Sequence, residues 1–231
     1  MEPTVSLALA TLAFVGTHLV MSHPLRDGLV ARLGERGFLG LYSLICFATL
    51  GWMILAWRAA IDSIPMWVAP PWWWPIASAI MLVASILLVG SQIGNPALPR
   101  PGARVKDIPP PKGVFAITRH PMNTSFMIWA AVHAFQWGSA RNLIVAGGIF
   151  LLALLGSIGQ DAKKVRLIGQ PWRDWQARTS FVPFAALLQG KVRWSAAFPG
   201  WIALVGGLVL WALVTSFHAP MVSPLGGLLS F

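Results

Sequence analysis

The chain has 231 residues, of which 56% are apolar and only 10% charged, and its net charge is +10. An ordinary soluble domain carries about 25% charged residues, so the composition argues against one and points to an all-α, polytopic membrane bundle forming a single domain over 1–231. The cations lie in loops between apolar runs, which is no nucleic-acid footprint. The single cysteine, Cys46, sits inside an apolar run and excludes a disulfide framework or a cysteine-type metal site.

Six apolar runs follow in chain order. The first covers about 4–22. It begins after Met-Glu-Pro with no basic region and no clear cleavage site, and so reads as a retained helix rather than a signal peptide. The linker 23–37 has apolar spacing that suits an amphipathic turn at the membrane interface. The second helix covers about 38–59, and the segment 61–74 is a Pro and Trp belt of the kind found at a membrane–water boundary. The third helix covers about 74–93. The Gly/Pro-rich stretch 94–113 reads as a loop. The fourth helix runs from Pro121 to about Trp137, the fifth from about 142 to 160. A basic segment follows, in which Trp172 and Trp175 suit the interface, and the sixth helix covers about 199–217. There is no internal repeat.

All Lys and Arg residues except Arg58 and Arg141 fall in the linkers after the first, third and fifth helices. The positive-inside rule then places those linkers in the cytoplasm and both termini in the periplasm of a bacterial inner membrane.

The stretch KGVFAITRHPMNTSFMIWAAVH (112–133) organises the chain. Pro121 fixes its own φ and disfavours α geometry at His120. Pro121 is therefore expected as the first helical residue, where its missing N–H costs little. Arg119 and His120 then sit at the positive end of a helix dipole, which suits a carboxylate or phosphate. His133 lies about 18 Å further along the helix.

Ionisable groups inside membrane helices are costly and tend to mark function. His18, facing Phe14, Val15 and Met21, and His133, facing Met122, Phe126, Trp129 and Ala130, stand out. Two imidazoles from neighbouring helices suit the two axial positions of a haem iron. The plainer reading is that each hydrogen-bonds a neighbouring helix. His120 competes with His133 as the second ligand. Thirteen residues separate them, so they face roughly opposite sides of a helix, and depth in the membrane favours His120. His23 and His218 read as solvated boundary residues.

A second, cytoplasmic constellation gathers Arg119, His120 and Asn123 with Gln160, Asp161 and Lys164 at the end of the fifth helix, and with Arg178. It reads either as a solvated cationic face or as a pocket for an acidic or nucleotide-like group.

Several long blocks carry a likeness: 17–44, GNPALPRPGA (94–103), GVFAITRHPMN (113–123) and QDAKKVRLIG (160–169). In them the chain resembles the NnrU family of bacterial membrane proteins, over most of its length. That family is associated with denitrification and nitric oxide metabolism, and it also includes the plant zeta-carotene isomerase, a haem b enzyme. The resemblance implies haem b, with His18 and His133 as its axial ligands. It further implies either redox-gated cis–trans isomerisation of a hydrophobic polyene or a role in nitric oxide metabolism, with a redox partner or a nitric oxide reductase. A cysteine proposed to act near the isomerase's second ligand is matched here by Ala130, so ligand exchange through that thiol is unavailable. GVFAITRHPMN with the basic, Trp-containing stretch after it is also similar to isoprenylcysteine carboxyl methyltransferases. That likeness implies S-adenosylmethionine at Arg119, His120, Asp161 and Arg178. Those enzymes carry a paired acidic motif where this chain has Gln160-Asp161, with one carboxylate. A third expectation is a non-enzymatic accessory protein for nitric oxide reductase.

Overall fold

A computed structural model describes residues 2–61, 64–97 and 108–218. The cationic loop residues Arg100, Arg104 and Lys106 and the C-terminal Gly/Pro tail lie outside them. Among the described residues the chain is all-helical apart from one isolated bridge between Val68 and Trp137. The elements are α1 (Pro3–Ser22), α2 (Arg26–Ala59), α3 (Trp73–Gly90), α4 (Val114–Ile117), α5 (Pro121–Gln136), α6 (Ala140–Ile168), α7 (Gln170–Arg178), α8 (Ala185–Leu188), a 3₁₀ turn (Trp194–Ala197) and α9 (Trp201–Ser216). Four of them, α1, α2, α3 and α6, are long and apolar enough to cross a membrane. The chain is therefore a multi-pass membrane protein by its apolar helices. α5 and α9 are 16 residues each, shorter than the roughly 20 residues that a full span takes.

The helix ends follow local chemistry. Glu2 caps α1, its carboxylate accepting from Thr4 N at 3.0 Å and Val5 N at 2.9 Å. Those backbone donors hold its pKa below the usual carboxylate range. α2 starts twelve residues earlier than the apolar run predicts. The amphipathic linker is helical as far as Gly34, whose φ of 70° breaks the helix before the membrane segment begins. Arg26 bridges that break, 2.6 Å from Glu35 and over the Phe38 ring at 5.5 Å. α6 outruns its expected end at 160 and continues through Lys163, Lys164 and Arg166 to Ile168. Gly169, at φ 75°, then turns the chain into α7, a helix within the basic, Trp-containing segment.

The chain forms two compact units. The first contains α1, α2, the last turn of α5 from His133, and α6 as far as Lys163. Here Leu7, Ala10 and Phe14 of α1 pack with Met53 and Ala56 of α2 and with Ile144, Val145, Ile149 and Leu152 of α6. Gly148 lies directly against the Thr11 side chain, where a larger residue would collide. The second unit contains α3, α4, the body of α5, the end of α6 and α7 to α9. Its core gathers Leu87, Ile108, Val114 and Phe115 around Trp172 and Trp175, which are 0% and 2% exposed. This corrects the interfacial role expected for those two tryptophans. α7 is amphipathic with period 3.6, and the tertiary fold turns its indole face inward rather than toward lipid. α3 and α9 pair through Gly206, against Val89, and Gly207, against Ile86. The Trp211 indole donates to Ser78 O at 3.0 Å.

Candidate functional site

His18 and His133 fall in the same unit, as does Asp161; Arg119, His120, Asn123 and Arg178 fall in the other.

His18 sits four residues before the end of α1 and is half-buried. Its Nδ1 lies 2.8 Å from Phe14 O. A carbonyl oxygen can only accept, so Nδ1 carries the proton and Nε2 keeps its lone pair. Nε2 has no hydrogen-bond partner among the described residues. The Phe14 ring lies 4.3 Å away, tilted by 57°, and the Tyr42 ring meets it edge-on at 5.5 Å. Cys46 Sγ of α2 approaches Nδ1 at 3.7 Å. The sequence reading saw Cys46 only as unable to pair and did not single out Tyr42. The signal was present: Tyr42 and Cys46 are four residues apart on a helix, hence on one face.

His133 lies in the last turn of α5, half-buried. That helix end is firmly tied. His133 O accepts from Trp137 N at 3.2 Å and from Asn142 Nδ2 at 2.7 Å. The Trp67 indole donates to Phe135 O at 3.0 Å and Ala134 O at 3.2 Å. These contacts satisfy carbonyls that the end of a helix leaves free. One turn beyond His133, Gln136 keeps both amide heteroatoms buried with no hydrogen-bond partner. The sequence reading missed Gln136, although its i, i+3 spacing from His133 places the two on neighbouring faces.

The α5 N-terminus is organised differently. Pro121 is the first helical residue, as its ring predicts. Thr118, 0% exposed, donates from Oγ1 to Phe181 O at 2.9 Å, and Arg119 N donates to Ser180 O at 2.9 Å. The Phe181 ring takes the His120 ring edge-on at 5.7 Å and the Arg119 guanidinium at 5.9 Å. His120 is buried, at 6% exposed. The structure thus brings Arg119 and His120 together with the residues just after Arg178. Arg178 itself is exposed and bonds back to Asp174 O of its own helix at 3.3 Å. Asn123 is half-buried in the first turn of α5, and Asp161 of α6 is buried.

No solved structure matches the chain. Among curated proteins it is similar to two chloroplastic 15-cis-zeta-carotene isomerases. That of Arabidopsis thaliana is 28% identical over 79 residues, which is 34% of this chain and 22% of that protein. That of Zea mays is 29% identical over 79 residues, with the same shares. The match thus spans about a fifth of the length of these relatives. The model of the NnrU protein family matches residues 6–224. With nearly every residue accounted for by that model, from the first turns of α1 to beyond α9, the chain belongs to the NnrU family.

Proposed function

We propose that the protein binds haem b between His18 and His133 and acts on a hydrophobic, polyene-like small molecule drawn from the membrane. The observation that carries this reading is the His18 ring. Its Nδ1–H is committed to Phe14 O, so its other nitrogen is a ready metal donor, the arrangement found in metal-ligating histidines. Gln136 supports the second half of the site. An unpaired buried amide costs about 1–3 kcal/mol, and a polar occupant beside His133 would relieve that cost. Among the described residues no three His, Cys, Asp or Glu side chains gather to hold a bare metal ion. Two histidines therefore suit a macrocycle that brings its own nitrogen ligands.

Bound haem b supplies an iron that can change valence and coordination. The chain does the rest. His18 and His133 hold and orient the group, Phe14 and Tyr42 wall the His18 ring, and the apolar helices keep water out. A cis–trans isomerisation is the reaction we assign, supported by the likeness to the two plant 15-cis-zeta-carotene isomerases. A role in nitric oxide metabolism, alone or with a reductase, uses the same ligand pair. In the membrane we read six spans with both termini periplasmic. α5 and α9, each about 24 Å long, cross as short spans that the bilayer meets by local thinning, and the cationic linkers lie in the cytoplasm.

Absorption spectroscopy tests the reading. Full-length protein expressed with ample haem and purified in detergent should show a Soret band. His18→Ala and His133→Ala should each abolish or shift it. A wild-type protein without the band sinks the proposal.

A further inference from the structure

The seam between α1 and α2 carries a polar cluster that ligation alone does not require. Nδ1 of His18 is protonated, because Phe14 O can only accept. Cys46 Sγ, 3.7 Å from that same nitrogen, is therefore also an acceptor. Phe14 O already receives the helical bond from the His18 backbone N–H, so its hold on Nδ1 is shared and the sulfur supplies a second anchor. Cys46 is itself held. It interacts with the side chain of Tyr42 one turn earlier on α2, and Ser22 of α1 donates to the Tyr42 hydroxyl at 3.2 Å. The Tyr42 ring edge blocks rotation of the imidazole from one side, and the Phe14 ring does so from another.

We propose that Cys46 and Tyr42 are positioning residues for His18. They hold its imidazole in the Nδ1–H tautomer and in one plane, so that Nε2 presents its lone pair. The consequence for a bound iron rests on the haem reading above; the tautomer claim does not. A second acceptor on Nδ1–H makes the imidazole a stronger donor. Such a donor favours the oxidised metal and lowers its reduction potential.

The experiment uses full-length protein in detergent with ¹⁵N-labelled histidine, as wild type, Cys46→Ala, Cys46→Ser and Tyr42→Phe. In protein made without added haem, wild-type His18 should show the Nδ1–H tautomer. Cys46→Ala should move both ring-nitrogen shifts toward the averaged value of two exchanging tautomers. Cys46→Ser, which keeps an acceptor, should restore most of the wild-type pattern, and Tyr42→Phe should give a smaller move in the same direction as Cys46→Ala. In haem-loaded protein, Cys46→Ala should raise the reduction potential while leaving the Soret band in place, because His18 and His133 both remain. A wild-type Nε2–H tautomer, or shifts unchanged in both Cys46→Ala and Tyr42→Phe, overturns the inference. A missing Soret band with the tautomer pattern intact overturns the haem reading and leaves this one standing.

Discussion

The α1–α2–α6 seam and the α4–α7 core solve the burial problem by different means. The seam closes on small residues: Ala10 and Ala56 lie inside it, and Gly148 admits Thr11 at contact distance. The core around α4 and α7 is filled by whole indoles, Trp172 and Trp175, with Phe115 beside them. A helix surrounded by lipid gains little by moving apolar surface from tails to protein, so it is held by close fit and by polar contacts across the seam. Large aromatic side chains cover much apolar area each, so the core around Trp172 and Trp175 is held mainly by the surface they bury. The polar residues beside His18 line a helix seam, whereas Thr118 and His120 are sealed under residues sixty positions downstream.

Truncating the core should cost most. Trp172→Ala should destabilise the protein by about 3–5 kcal/mol, read from denaturation in detergent; a loss no larger than that of a seam substitution would break the contrast. Gly148→Leu comes next. It overpacks the α1–α6 contact and should cost about 1–3 kcal/mol, while Gly148→Ser should cost clearly less. Thr118→Val removes one buried hydrogen bond to Phe181 O and should cost about 1 kcal/mol, with increased proteolysis of the 179–184 segment as a second readout. Arg26→Ala breaks a part-buried ion pair across Gly34, together with the contact over the Phe38 ring, and should cost on the order of 1 kcal/mol, an effect that added salt should reduce only in part.

The smallest effect depends on pH. Burial holds the His23 imidazole, just past the end of α1, below the ordinary histidine range, and Lys163 adds to the shift. Unfolding returns it to about 6.5. The unfolded chain therefore binds more protons between the folded value and that point, and stability is lost as pH falls through the window. The melting midpoint should be lower at about pH 5.5 than at about pH 7.5, and His23→Gln should flatten the difference. An unchanged slope in that variant would assign the pH dependence elsewhere.

Much of this was legible in the residues. Apolar runs without charges locate α1, α3 and the membrane part of α2, because lipid accepts only helices with their backbone bonds satisfied internally. Pro121 marks the start of α5, because its fixed φ suits the first helical turn and its ring disfavours α geometry at His120 before it. The end of α6 was less legible. Charged residues at 163–166 look like a loop in a hydropathy reading, yet nothing in them breaks a helix, and the helix runs on until Gly169 ends it. The helical stretch before Gly34 was hidden for the same reason. For the site, the two histidines stood out as expensive residues in apolar helices. Gln136 and the Cys46–Tyr42 pair did not, because their i, i+3 and i, i+4 spacings show a shared side of a helix but not which neighbouring helix that side meets.

Taken alone, the order of residues determined the class of molecule, the places where helices begin, and the few polar groups that a bilayer would not tolerate without a reason. Only the tertiary structure decided that Cys46 of α2 reaches the Nδ1 side of the His18 ring, that Trp172 and Trp175 turn inward, and that the His120 end of α5 is sealed by the chain after α7. Those outcomes depend on which side chain arrives from a distant stretch to accept a hydrogen bond or fill a gap. Local propensity does not encode such meetings; packing between helices selects them.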